Sequence, residues 1–438
     1  MTELANVFLK HGYDVTVVLI KPSFKLPVSG ATAIERIAAS HPSISFNVLM
    51  SIHAPGFAAS GKHPFLLILQ LSYDYNEQKI LHSVFLDMFC IDAIDICMNL
   101  GVPVYTLFTG SASCLSALTR LPILIAGRQT GLKELGDTPL NFVGHLEDEM
   151  CKAMMNIWKR NTETMGILLN TAELLESRAV QSPRGPLCVP ERILLLIYCV
   201  GPSDGKGTKD EGRAKRNECL EWLDALPDRS IVFLCSVSKG ALSAEQLKEI
   251  AVGMERSGQR FLWSVRTPAG SDSPEKHLKV GPEPDLGVLL PQGFLERTKW
   301  RGLVVKSWAP QMDVLSHRAT GVVLTHCGWN SVLEAIVARV PMLCLPLEAE
   351  QKMNKVSMTE DIGVAMELEG YMRGFIKEDE VEAKVRLVIE GEEGRQLRAR
   401  VAARREEAEA ALEEGGPSLV AFAQFPLDVD SLGKQLGE

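Results

Sequence analysis

Short apolar runs alternate with helical patterns along the whole of this sequence, and the alternation occurs as two separate series. In the first series, runs such as residues 15–20, 102–108 and 193–200 have the length of strands and are separated by stretches with helical spacing. The second series begins at residues 231–234 and continues through residues 321–325. Continuous β-branched runs separated by helices are typical of parallel strands that are buried on both faces. The sequence therefore predicts two doubly wound α/β domains, and its 438 residues are enough for both.

A segment without periodicity separates the two series. Residues 203–217 are rich in glycine and charge, a composition that is typical of linkers. We therefore expect an amino-terminal domain over residues 1–202 and a carboxy-terminal domain over residues 218–410. Residues 411–438 would form a tail that packs back on the amino-terminal domain.

The charge balance excludes partners that require a basic surface. The chain has 46 Lys and Arg residues against 55 Asp and Glu residues, a net charge of −9, so it offers no attraction to nucleic acid or to an anionic membrane. No apolar run reaches the ~18 residues of a membrane span, and the first residues lack the pattern of a signal peptide. The ten cysteines are scattered without a CxxC pair and mostly lie in apolar runs, which favours buried thiols in a reducing compartment. We therefore expect a cytoplasmic monomer that does not insert into membranes, and any phosphate that it binds must be held by local groups.

One polar turn in the second series has the features of a phosphate site. The apolar run at residues 321–325 is followed by the turn at residues 326–331, where a helix opens. A helix N-terminus after a parallel strand presents unpaired N–H groups and the positive end of the helix dipole, which suits an anion. Gly328 allows the backbone to approach such an anion, and His326 adds a donor.

The same turn has a purely structural interpretation. Ser331 is followed three residues later by Glu334, which matches the spacing of a helix capping box. On the turn alone, capping and phosphate binding both remain open.

Residues 308–351 as a whole closely resemble the signature segment of plant secondary-product UDP-glycosyltransferases. The match opens with Trp-Ala-Pro-Gln at residues 308–311, includes Thr-His-Cys-Gly-Trp-Asn-Ser at residues 325–331, and closes with Glu350 and Gln351. Further landmarks of the family lie at residues 86–90, 170–171, 219–224 and 290–294. The resemblance is nearest to members that act on flavonoids and simple phenols.

The resemblance implies a fold and an activity. The fold would be GT-B, in which two Rossmann-like domains face each other across a cleft, the amino-terminal one binding the acceptor and the carboxy-terminal one binding the UDP-sugar. The activity would be the inverting, metal-independent transfer of glucose from UDP-glucose to a phenolic hydroxyl, with no cofactor. The acceptor pocket would draw on variable loops such as residues 51–63 and 114–129, which do not identify the acceptor.

The resemblance also assigns the residues of the signature to parts of the donor. They are Trp308 and Ala309 for the uracil, Gln311 and Glu334 for the ribose hydroxyls, His326, Asn330 and Ser331 beside Gly328 for the diphosphate, and Trp329, Glu350 and Gln351 for the sugar. A glutamine at the end of the signature is typical of glucose users. The two tryptophans can alternatively be core residues.

The catalytic group is the least complete part of the pattern. In the family a histidine activates the acceptor hydroxyl and an aspartate orients that histidine; Asp87, at the end of the predicted strand at residues 84–86, matches the aspartate. Asp87 can alternatively be a turn residue at the end of the strand. The family pattern opens with a strand and a Gly-x-x-His-x-x-Pro segment, whereas this sequence opens at the helix that follows them. We therefore expect the amino-terminal sheet to lack its first strand and Asp87 to lack its partner histidine.

Two alternatives follow from that departure and from the fold class. The chain can be a catalytically impaired UDP-sugar-binding protein, or an incomplete chain that retains donor binding. A nicotinamide dehydrogenase also has alternating strands and helices, but no GxGxxG motif follows the first strand here.

Four positions near the donor site also depart from the family pattern. Val237 and Arg339 stand where the family has glycine, and Leu345 and Glu348 replace aromatic residues. A β-branched residue at position 237 resists positive φ, and Arg339 would remove the glycine cap of the signature helix. Glu348 would add a negative charge close to an anionic donor.

Overall fold

The computed structural model describes residues 2–10, 12–20, 38–39, 41–49, 81–126, 149–184, 196–201, 218–235, 242–268, 283–347, 350–371 and 375–436. The predicted linker lies outside these ranges, as do Val237, Glu348 and the segment at residues 51–63. The predicted domain bounds therefore remain predictions.

The amino-terminal half alternates short parallel strands with helices. In chain order its elements are α1 (Thr2–Lys10), β1 (Thr16–Ile20), β2 (Ser45–Leu49), β3 (Val84–Asp87), α2 (Asp92–Asn99), β4 (Val104–Phe108), α3 (Ala112–Ala126), α4 (Glu149–Asn161), β5 (Gly166–Leu169), α5 (Ser177–Arg184) and β6 (Ile197–Cys199). The described part of the predicted loop at residues 114–129 is helical, since it lies in α3.

The carboxy-terminal half has the same alternation. Its elements are α6 (Glu218–Asp224), β7 (Ile231–Cys235), α7 (Ala244–Ser257), β8 (Arg260–Val265), α8 (Leu286–Leu289), α9 (Phe294–Thr298), β9 (Gly302–Lys306), α10 (Gln311–Ser316), β10 (Thr320–Thr325), α11 (Trp329–Val337), β11 (Met342–Cys344), α12 (Gln351–Val356), a π-helical turn (Ser357–Asp361), β12 (Ala365–Glu367), α13 (Glu378–Glu390), α14 (Glu392–Leu412) and α15 (Pro417–Leu436).

The carboxy-terminal sheet is doubly wound. Its six strands are all parallel in the order β12-β11-β10-β7-β8-β9, so the chain winds outward from β7 in both directions. Along β7, Ile231 and Phe233 belong to the core on one face while Val232 and Leu234 belong to the core on the other. Burial on both faces explains the continuous apolar runs of the sequence. The order reverses between β7 and β10, and the carboxyl ends of strands at such a switch point are where open α/β sheets bind ligands.

The described strands of the amino-terminal half form two separate sheets. β1 pairs with β2, and β3, β4, β5 and β6 form a second parallel sheet in that order. Within the described residues, the edges of β1 and β3 are not paired with each other.

The last helix connects the two halves. On α15, Ser418 Oγ donates to the Gly201 carbonyl at 2.9 Å, and the ring of Phe425 lies 4.7 Å from that of Tyr105 and 4.8 Å from that of Tyr198. The hydroxyl of Tyr198 also donates to Asp428 Oδ2 at 2.8 Å. The helix that ends the chain is therefore part of the core of the amino-terminal half.

No helix in the described ranges is long and apolar enough to cross a membrane. The cysteines whose side chains are described are free thiols, and most of them are buried.

Candidate functional site

The turn between β10 and α11 stands at the switch point of the carboxy-terminal sheet. Gly328 is the residue before the helix, which begins at Trp329, and it supplies no side chain to the helix N–H groups. A Cβ added to Gly328 would lie 2.3 Å from His326 Nε2, so the imidazole needs a glycine at this position. Cys327, which lies between them, has a φ of 67°, a left-handed backbone conformation that residues other than glycine rarely adopt.

The capping-box interpretation of Ser331 and Glu334 is wrong. The helix already begins at Trp329, so Ser331 lies in its first turn rather than before it. Both side chains instead meet Gln311, whose Nε2 donates to Ser331 Oγ at 3.1 Å and to Glu334 Oε2 at 2.6 Å. The residue before the helix is Gly328, which has no side chain, so it cannot cap the N–H groups at the start of α11.

A thiol orients the Gln311 amide. The Sγ of Cys235, at the carboxyl end of β7, donates to Gln311 Oε1 at 2.9 Å, which leaves Nε2 for the other two partners. Burial raises the pKa of this thiol to about 12, so it remains a donor at neutral pH. Cys235, Gln311 and Glu334 thus form a polar group that is held in one arrangement before a ligand enters.

The Trp308 side chain stands at the same edge of the sheet, beyond β9. Its amide donates to the Lys306 carbonyl at 2.7 Å, and Ser307 before it has a φ of 65°. The indole is 50% exposed while Ala309 next to it is buried. A tryptophan held by a tight backbone turn but left half open to solvent is suited to stack on a planar ligand.

The imidazole of His326 is neutral at physiological pH. Burial lowers its pKa from 6.5 to about 4. The site therefore offers an anion the N–H of a neutral ring and the start of α11, rather than a cationic side chain.

Two of the three residues assigned to the sugar each have a polar atom engaged within the protein. The Nε1 of Trp329 donates to the Asn170 carbonyl at 2.9 Å, and its indole is buried at the junction of the two halves. The Oε1 of Gln351 accepts from the Leu347 amide at 2.8 Å. Glu350 lines a cavity between the two halves.

A cavity of about 370 Å³ joins the two halves. The carboxy-terminal half contributes His326, Gly328, Trp329, Asn330, Ser331 and Glu350 to its lining. The amino-terminal half contributes apolar and aromatic side chains, among them Met88, Phe89, Phe108, Leu118 and Trp158. One wall is therefore polar and includes the turn before α11, and the other is largely apolar.

Asp87 borders the apolar wall without lining it. It is the last residue of β3, and its Oδ1 accepts from the Phe89 amide at 3.0 Å. The two residues that follow it, Met88 and Phe89, reach the cavity. The hydrogen bond to Phe89 agrees with the turn-residue interpretation of Asp87 and leaves its second carboxylate oxygen for another group.

The structure also brings to the site residues that lie outside the signature segment. Asn170, which follows β5, donates through Nδ2 to Asn330 Oδ1 at 3.3 Å. Ser111 and Asn354 meet at 2.7 Å between the halves. No local sequence pattern predicts contacts between residues so far apart in the chain. The one available indication is that polar Asn170 and Thr171 directly follow the apolar run at residues 167–169, where ligand-facing residues are expected.

No three His, Cys, Asp or Glu side chains cluster as a metal site would require within the ranges that the structure describes.

Comparisons with known proteins agree on one group of relatives. Residues 190–396 match the family model described as UDP-glucoronosyl and UDP-glucosyl transferase. The chain is 34% identical to an anthocyanidin 5,3-O-glucosyltransferase of a Rosa hybrid cultivar, over 97% of this chain and 94% of the relative. It is 37% identical to a phloretin 2'-O-glucosyltransferase of Pyrus communis, over 95% of this chain and 92% of the relative.

A solved structure shows the same architecture. UGT2 of Phytolacca americana, complexed with UDP-2fluoro-glucose and pterostilbene, superimposes with a TM-score of 0.81 at 30% sequence identity. The match covers 98% of this chain and 96% of that one.

Proposed function

The chain belongs to the UDP-glucoronosyl and UDP-glucosyl transferase family, and from that premise we propose that it transfers glucose from UDP-glucose to a hydroxyl of a flavonoid or another phenol. It is a glycosyltransferase with the GT-B fold. The observation that carries the proposal is the cavity whose polar wall holds the signature turn and whose other wall is aromatic. A charged donor and a planar apolar acceptor would meet there.

The residues next to the polar wall of the cavity, which Gln311 joins through its bond to Ser331, support a UDP-sugar. We propose that Trp308 stacks on the uracil, that Ala309 bonds its edge through the backbone, and that Gln311 and Glu334 hold the ribose hydroxyls. Two hydroxyl donors suit the Glu334 carboxylate, which accepts strong hydrogen bonds.

The diphosphate would lie against the turn before α11. The first N–H groups of α11 carry partial positive charge, and His326, Asn330 and Ser331 stand beside them on the cavity wall. These groups would stabilise the negative charge that develops on UDP as the bond between the anomeric carbon and the phosphate oxygen breaks, and no metal ion is required for that role. Trp329, Glu350 and Gln351 would surround the glucose.

The acceptor half supports an aromatic alcohol. The relatives include enzymes named for an anthocyanidin and for phloretin, and both are phenols. Phe108 and Trp158 pack edge to face with their ring centroids 5.7 Å apart, which gives a rigid aromatic wall. A flavonoid ring would lie on this wall with one hydroxyl directed at the sugar.

The transfer itself requires a base. The acceptor oxygen attacks the anomeric carbon and gives its proton to the base, while UDP leaves from the opposite side with both electrons of the broken carbon–oxygen bond, so the configuration inverts. In the family pattern a histidine takes this proton and an aspartate orients the histidine; we propose that Asp87 stands in the place of that aspartate. Within the described residues, the histidine that lines the cavity is His326, which belongs to the diphosphate turn.

Turnover separates this proposal from donor binding alone. The chain is incubated with UDP-glucose and a panel containing flavonols, phloretin and simple phenols, and UDP release and hexoside formation are measured by liquid chromatography with mass detection. We expect a product that is heavier than the acceptor by one hexose residue, and we expect Asp87→Asn to lower the rate while UDP affinity stays within about twofold. UDP binding with no product from any acceptor would replace transfer by the sugar-nucleotide-binding alternative, and no UDP binding would reject both. The cytoplasmic location and the monomeric state remain predictions from the sequence.

A further inference from the structure

A fully buried amide bridges the two halves directly behind the signature turn. Asn354 of α12 has no exposed surface. Its Oδ1 accepts from the hydroxyl of Ser111 at 2.7 Å, and its Nδ2 donates to the Cys327 carbonyl at 2.9 Å. Ser111 belongs to the loop between β4 and α3 of the amino-terminal half. One side chain thus connects a loop of one half to the turn of the other.

The orientation of this amide follows from its partners. The hydroxyl oxygen of Ser111 accepts from the Cys114 amide at 3.1 Å, so its hydrogen is directed at Asn354. An amide oxygen accepts and an amide nitrogen donates. Ser111 therefore sets which end of the Asn354 amide faces Cys327, and only the nitrogen end can hold a carbonyl.

The loop that presents Ser111 is itself held firmly. The carboxylate of Glu176 is buried and accepts from the amides of Ala112 at 3.0 Å and Ser113 at 3.2 Å, at the start of α3. Thr171 donates to the same carboxylate at 2.8 Å. Ser111 consequently approaches the other half from a fixed position.

Asn354 contacts Cys327, the residue of the turn whose backbone is strained. Cys327 has a φ of 67°, and a non-glycine residue keeps such a conformation only where its surroundings hold it. Its amide donates to Thr325 Oγ1 at 3.2 Å, and its carbonyl is held by Asn354. His326 lies on one side of this residue and Gly328, with the start of α11, on the other.

We propose that Asn354 is a positioning residue for the diphosphate, acting through the Cys327 backbone, and that Ser111 makes this support depend on contact between the two halves. The inference rests on the proposed function, because it takes the turn to be the diphosphate site. Without Asn354, the left-handed turn relaxes and the imidazole and the helix N–H groups no longer converge on one anion. The residues proposed for uridine lie on other elements: Trp308 follows β9, Gln311 begins α10 and Glu334 lies within α11. Gln311 also donates to Ser331 at the end of the turn, but its bonds to Cys235 and Glu334 hold it independently of Asn354.

The test compares UDP with uridine on the full chain. Affinities are measured by isothermal titration calorimetry, with uridine in competition against UDP. For Asn354→Ala we expect UDP to bind about tenfold more weakly while uridine stays within about twofold, because only the diphosphate contacts are lost. Equal losses for both ligands would indicate general damage to the domain and would overturn the proposal, as would unchanged UDP affinity.

Two further variants complete the design. Ser113→Ala is the matched control, since its hydroxyl also crosses between the halves, to Ser357 Oγ at 3.2 Å, but does not reach the turn. The same hydroxyl lies 3.3 Å from Glu176, whose bonds to the Ala112 and Ser113 amides and to Thr171 remain in the variant. Both affinities should stay within about twofold. Ser111→Ala should lower the affinity for UDP about threefold and leave the affinity for uridine unchanged. If Asn354→Ala does not fold, Ser111→Ala alone tests the proposal. An unchanged UDP affinity in Ser111→Ala would then overturn it. A wild-type chain that binds UDP no more tightly than uridine would reject the proposed function itself, and this inference with it.

Discussion

The amide of Gln311 donates a hydrogen bond of 2.6 Å to the carboxylate of Glu334, across the gap between α10 and α11. The two residues are 23 positions apart, and they meet because β9 and β10 end at the same edge of the sheet. The bond holds the carboxylate in place before any ligand enters. A preformed acceptor of this kind is what two ribose hydroxyls require.

Replacing Glu334 should therefore weaken UDP binding strongly. In Glu334→Ala the ribose hydroxyls lose a charged acceptor, which costs about 1.5–3 kcal/mol, or roughly 10- to 100-fold in affinity. Titration calorimetry with UDP measures the loss. Asp313→Asn is the control, because Asp313 is an exposed carboxylate on the same helix as Gln311. A loss of twofold or less in Glu334→Ala would show that the ribose role is wrong.

A pair of exposed tryptophans tests the uracil platform. Trp308 is 50% exposed at the site, while Trp300 is 71% exposed elsewhere in the same half and stacks with Arg301 at 5.2 Å. Trp308→Ala should weaken UDP and uridine alike, since base stacking on an aromatic side chain contributes about 1–3 kcal/mol. Trp300→Ala should change neither affinity by more than about twofold. Equal behaviour of the two variants would argue against stacking at Trp308.

Much of the proposed donor site could be placed from the sequence because its elements are adjacent in the chain. The strand, the polar turn and the helix of residues 320–337 follow one another directly, and apolar runs with β-branched residues mark the strands. His326, Asn330 and Ser331 accordingly lie together on one cavity wall.

What was not predictable depends on the packing of distant segments. The spacing of Ser331 and Glu334 satisfies a capping motif, but the helix begins already at Trp329, after the left-handed Cys327, and no local pattern reveals that conformation. Ser111 and Asn354 are 243 positions apart and meet only when the two halves pack. Contacts of that kind carry no periodicity from which they could be predicted.

The pH dependence of stability tests the burial of His326. Burial lowers its pKa to about 4, against 6.5 for an exposed imidazole. Between these values the unfolded chain binds a proton that the folded chain does not, so this residue makes folding less favourable as the pH falls through 6.5 toward 4. The contribution is negligible at pH 8 and reaches about 2 kcal/mol at pH 5.

Urea unfolding at pH 8 and pH 5 measures this effect. Other groups also titrate over this range, so the difference is taken against His326→Asn, which keeps a neutral polar side chain and cannot be protonated. We expect the wild type to lose about 2 kcal/mol more than the variant between the two pH values. Equal losses would mean that the imidazole is open to solvent in the folded state.

The end of the signature helix offers a stabilising substitution. Arg339 occupies the position after the helix where the family pattern has glycine. Its φ is 60°, the left-handed conformation that glycine usually adopts at the end of a helix. The Arg339 amide donates to the Ile336 carbonyl at 3.0 Å and the Val340 amide to the Ala335 carbonyl at 2.9 Å, so the helix ends in a Schellman motif despite the arginine. Arg339 is exposed and keeps this conformation at a cost that glycine would not bear.

Arg339→Gly should therefore raise the free energy of unfolding by about 0.5–1 kcal/mol, even though glycine also gains freedom in the unfolded chain. The unfolding midpoint should rise by about 2–4 °C for a gain of 1 kcal/mol in a domain of this size. Ala338→Gly, one residue earlier at the ordinary φ of −79°, is the matched control and should destabilise by about 0.5–1 kcal/mol, since only the entropic cost remains there. If Arg339→Gly raises the free energy of unfolding and Ala338→Gly lowers it, the strain lies at residue 339. If both variants are destabilised, the packing around α11 already supports the arginine.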